Sequence, residues 1–149
     1  MNFKSIYENV ELYKSMSLKE LLKEFHIKIV YDDSLCYGRD SRTVSVDGIT
    51  LVFAKEGLPE EKERFLVLHE IGHLVCGCSW LRNNSANELD ANTFACLYLL
   101  HNDIWESQYF RVFLKENGVP AEIANRVQER IYQFKMTERH GDDWLLMEC

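Results

Sequence analysis

The spacing of apolar and polar positions changes along the chain, and each change marks an element. Ser17-Leu18-Lys19-Glu20 has the spacing of a reciprocal helix cap, and the leucines behind it predict a short helix reaching about Phe25. Ile27 to Tyr31 (IKIVY) reads as a strand. Residues 43–54, TVSVDGITLVFA, form two strand-like runs meeting at Asp47-Gly48, the pair that a two-residue hairpin turn favours. Pro59 then opens a helix whose first turn carries Glu60, Glu61 and Glu63, the sign that suits a helix N-terminus. That helix is expected to run to about Cys76, with Gly77 just past its end. Further helices are expected near 86–101, 103–116 and 120–135. The amino-terminal stretch MNFKSIYENVELYKS alternates polar and apolar residues and has no apolar core of signal-peptide length. The tail from Met136 carries Trp144, Leu145 and Leu146 and is expected to dock on the body. A helix, a small antiparallel sheet and then a run of helices make an α+β fold.

Composition adds limits. The 149 residues have two prolines, no repeats and no linker, so residues 1–149 are expected to form one domain. A formal net charge of -7 without a Lys/Arg cluster disfavours direct binding to nucleic acid, which needs the opposite balance. The longest apolar run, Phe94 to Leu100, is too short to span a bilayer. The 5 cysteines (Cys36, Cys76, Cys78, Cys96, Cys149) are odd in number and contain no C-x-x-C pair, which points to a reducing, cytoplasmic setting.

The chemistry lies in the Pro59 helix, which contains His69-Glu70-Ile71-Gly72-His73. Two histidines four apart sit about 40° from each other around a helix, so both imidazoles reach one ion. Glu70 lies roughly 80° to one side of their mean direction, too far off-axis to ligate easily but suited to contact water on the metal's open side. Gly72, as far to the other side, leaves room for a second helix. Burying two histidines and a glutamate in the apolar run FLVLHEIGHLVC without an ion is costly. The pattern is that of zinc hydrolysis, with two ligands and a general base.

A catalytic zinc wants a third protein ligand. Third-histidine patterns fail, because position 79 is Ser79 and position 76 is Cys76. The octet SANELDAN (85–92) supplies two carboxylates, Glu88 and Asp90, about 200° apart on a helix, so only one faces a given metal. Ser85 to Glu88 also has cap spacing, which would make Glu88 an ordinary helix start. The Glu88 face continues through Ala91, Asn92 and Ala95, whose small alanines allow close approach to Gly72. Asn92, one turn on, is placed to accept from the outer nitrogen of a ligating histidine. Glu88 is therefore assigned as third ligand, Asn92 as its support, and Asp90 is expected to cap or pair elsewhere.

HEIGH followed by N-E-L-D-A-N-T-F-A-C-L-Y-L-L resembles the ImmA/IrrE family of gluzincin metallopeptidases. The resemblance covers most of the chain: an amino-terminal helix, a small sheet whose last strand precedes the HExxH helix, and helices beyond. It implies one Zn²⁺ per chain on His69, His73 and Glu88, with Glu70 as catalytic base. Asp90 stands where the family has a second Glu, and His101 where it often has Pro. Short members of the family act as antirepressors encoded on phages and mobile elements, inactivating a helix-turn-helix repressor in trans. The implied function is thus a zinc endopeptidase acting on such a repressor. Two alternatives stand beside it: a non-proteolytic zinc protein that sequesters its repressor, and a toxin-like or self-processing peptidase. Tyr98, His101, Tyr109, Arg111 and His140 are all candidates for stabilising an oxyanion. Strand Ile49 to Ala54 is either a sheet edge that pairs with substrate or a plain core strand.

Overall fold

The computed structural model describes residues 1–77, 85–100 and 109–139. Two helices, α1 (Phe3–Tyr13) and α2 (Leu18–Glu24), precede strand β1 (Ile27–Tyr31). A 3-10 turn (Asp33–Cys36) leads to β2 (Ser41–Val46) and β3 (Ile49–Ala54). Four further helices follow: α3 (Glu60–Val75), α4 (Ser85–Leu99), α5 (Phe110–Glu116) and α6 (Ala121–Arg139). This is the expected α+β order. The α1 helix falls on the stretch whose alternation suggests no element. Asn2 caps it by accepting from the Ser5 amide at 2.9 Å, and Phe3, Ile6 and Val10 form its buried stripe. Segments 101–108 and 140–149, with His101, His140 and the tryptophan-bearing tail, lie outside the described residues, as do Cys78 and Ser79.

The three-stranded sheet has the order β1-β3-β2. Asp47 and Gly48 both adopt positive φ (50° and 78°), the geometry of a type I′ turn, and the hairpin they close pairs Val46 with Ile49. The sheet is mixed, not antiparallel as expected: β1 runs parallel to β3, with Ile27 opposite Thr50 and Tyr31 opposite Ala54. A hairpin signal fixes β2 against β3 but leaves open which side of the hairpin β1 joins. Here β1 joins on the β3 side. The last strand is consequently central, with both edges taken, and is not available to pair with a substrate segment. Thr50, Val52 and Ala54 form its buried face.

One continuous core joins α1, β1, β3, α3, α4, α5 and α6 through Ile6, Val52, Leu68, Phe94, Leu114 and Val127 among others. Its tightest seam is α3 on α4. A Cβ built on Gly72 would lie 2.7 Å from the carbonyl oxygen of Ala91 and 2.9 Å from its Cα, so only glycine fits. Among the described residues no helix is long and apolar enough to cross a membrane.

Candidate metal centre

Helix α3 starts on the acidic turn after Pro59 and carries His69, Glu70, Gly72 and His73 in its last two turns. Helix α4 lies against it with Glu88 in its first turn. The Gly72–Ala91 contact sets the distance between the two backbones, and so sets how far Glu88 must reach.

His69, His73 and Glu88 meet at their tips. The two Nε2 atoms are 3.1 Å apart, His69 Nε2 is 3.2 Å from one Glu88 oxygen, and His73 Nε2 is 3.0 Å from the other. The rings stand perpendicular, with centroids 4.7 Å apart. A tetrahedral zinc with bonds of about 2.0–2.2 Å separates its ligand atoms by about 3.3 Å. The donor triangle therefore has the size of three faces of such a site, and these residues can hold a metal ion. His73 is buried and His69 nearly so, whereas the Glu88 side chain keeps 42% of its surface exposed, so the centre opens on the α4 side.

Asn92 accepts a hydrogen bond from His69 Nδ1 at 2.7 Å. An amide oxygen only accepts, so Nδ1 carries the proton and Nε2 turns its lone pair inward, the tautomer a metal ligand needs. Burial opposes a charge on His69, yet Glu88, Glu70 and Asn92 together outweigh it and raise its pKa. Both histidines hold the Glu88 carboxyl far below the usual range, against its partial burial.

Glu70 sits beside this triangle without joining it. Burial pushes its pKa up, against the pull of His69, His73 and the neighbouring Thr43 hydroxyl. Its Oε2 atom is buried and has no hydrogen-bond partner. An orphaned carboxylate oxygen next to three convergent donors fits a site completed by a metal and its water. Thr43, from β2, was not singled out by its residue type; the hairpin register, which sets it opposite the buried Val52, is the signal that places it on the face toward α3.

The other sequence candidates lie elsewhere. Asp90 points away from the histidines, accepting from Arg130 at 2.8 Å and from the Met1 amine at 3.0 Å. The Tyr98 hydroxyl donates to the Met16 carbonyl, Arg111 donates to Gln128 at 2.8 Å, and Tyr109 is exposed at the start of α5. No protein-family model, curated protein or solved structure matches the chain.

Proposed function

We propose that the protein is a zinc-dependent endopeptidase in which His69, His73 and Glu88 hold the metal and Glu70 serves as general base. The observation that carries this reading is the donor triangle of 3.0–3.2 Å with the buried, partnerless Glu70 oxygen beside it. Zinc, when bound, supplies a Lewis acid for a scissile carbonyl and lowers the pKa of its water. His69 and His73 present their Nε2 lone pairs, with His69 fixed from behind by Asn92. Glu88 contributes the negative charge. Glu70 accepts a proton from the attacking water and passes it to the leaving amine, a role its raised pKa favours by bringing the carboxyl closer to neutral pH. A purely structural zinc site has no use for that carboxylate.

The substrate class follows from the family resemblance of the HEIGH and NELDAN segments: a helix-turn-helix repressor, acted on in trans. An extended segment of it would pair along β2. That strand is at the outer edge of the sheet, and its Thr43 adjoins Glu70. The test incubates the purified protein with a candidate repressor from the same genetic neighbourhood and reads the products by mass spectrometry. Cleavage is expected with the native protein, and none with chelator or with Glu70→Gln, which keeps its zinc. Full repressor inactivation in cells by Glu70→Gln would sink the peptidase in favour of sequestration.

A further inference from the structure

Two buried polar atoms near the centre lack partners, and they come from adjacent residues: Glu70 Oε2 on α3 and Thr43 Oγ1 on β2. Each alone is costly to bury, and a hydroxyl and a carboxylate satisfy one another with a single charge-assisted bond. The backbone holds both groups firmly. Thr43 sits mid-strand opposite Val52, in a hairpin whose type I′ turn fixes the register. Its β-branched side chain is stiff about χ1. Glu70 is one residue from His69, whose ring is tied to Asn92.

We propose that Thr43 is the positioning residue for Glu70: its hydroxyl donates to the Glu70 carboxylate and fixes the direction in which the other carboxylate lone pairs point. A proton acceptor on a flexible three-carbon stem needs such a hold, because misplacement by about an ångström is enough to lose much of its effect. Nothing else about Thr43 requires a hydroxyl: a strand residue facing a helix is ordinarily served as well by valine, which has the same shape. The proposal rests on the reading of Glu70 as general base, and its experiment separates the two.

Acetohydroxamic acid, a small chelating probe whose acidic proton needs an acceptor beside the metal, is titrated calorimetrically into the zinc-loaded protein and three variants. Zinc content is measured in parallel and is expected to stay at one per chain throughout. Glu70→Gln and Thr43→Val are each expected to weaken the probe by about tenfold, the loss that goes with one hydrogen bond to a charged group. Thr43→Ser, which keeps the hydroxyl, is expected to return affinity to within about twofold of native. Native affinity in Thr43→Val with a weakened Glu70→Gln overturns the role of Thr43 and leaves the general base standing. Equal weakening in Thr43→Ser and Thr43→Val overturns it too, since the lost methyl or a strand shift would then be the cause. Native affinity in Glu70→Gln removes the general base, and the proposal with it. Where Thr43→Val does not fold, Thr43→Ala against Thr43→Ser makes the same comparison.

Discussion

Gly72→Ala isolates the seam on which the centre is built. The added methyl would lie 2.7 Å from Ala91 O and 2.9 Å from Ala91 Cα, both backbone atoms that cannot swing aside. To reach ordinary contact near 3.4 Å, α3 and α4 must part by about 0.7 Å. Overpacking of this kind costs about 1–3 kcal/mol, and replacing a mid-helix glycine by alanine returns about 1 kcal/mol. A net loss of about 1–2 kcal/mol lowers the melting temperature of a domain this size by about 4–8 °C. The same displacement acts on the donors unequally. His69 and His73 share α3 and keep their 3.1 Å spacing, whereas Glu88 rides on α4 and is carried away from both. Zinc affinity should therefore fall by about ten- to a hundredfold, the scale on which displaced metal-site partners act. Thermal melting of the metal-free protein reads the first effect, and competition against a chelator of known affinity reads the second. A melting temperature raised by the helix-propensity gain alone, with zinc affinity unchanged, would refute the close contact and the coupling of Glu88 to it.

The remaining expectations address single contacts. Asn92→Ala should weaken zinc about ten- to a hundredfold with little change in melting temperature once zinc saturates, whereas Ala95→Leu, at a fully buried position, should lower that temperature even in saturating zinc. The reverse pattern would mean that α4 is rotated. Glu88→Ala should abolish stoichiometric zinc in elemental analysis, while Asp90→Ala keeps the zinc but loses about 3–5 kcal/mol in denaturant titration, because it strips the buried Arg130 of its partner; zinc loss in Asp90→Ala alone would refute the ligand assignment. Zinc affinity should also depend on pH. Metal binding needs a neutral His69, whose pKa is raised above its ordinary 6.5, so protons compete below that raised value and affinity falls about tenfold per pH unit there. Glu88, with its lowered pKa, stays ionised and adds no competing proton in that range. An onset of the fall well below pH 6.5 would contradict the ion-pair network around His69.

What the sequence makes legible here is what short-range geometry decides. The bounds of α3 are readable because Pro59 with its acidic turn starts the helix and Gly77 follows its end. The separation of Glu88 from Asp90 is readable because two steps of 100° put them on opposite faces, one at the histidines and one at Arg130. The helix α1 is not readable in the same way. Its buried stripe of Phe3, Ile6 and Val10 is blurred by Tyr7 and Leu12, apolar residues on the exposed side. The side of the hairpin that β1 joins leaves no local trace either, since β1 pairs across 23 positions with a strand whose own pattern already suits a core. That choice decides which strand borders the centre: with β1 on β3, only β2 has an open edge beside α3, and the residue it brings to Glu70 is Thr43. The ligand set follows from local helical geometry, while the surroundings of Glu70 follow from the strand order.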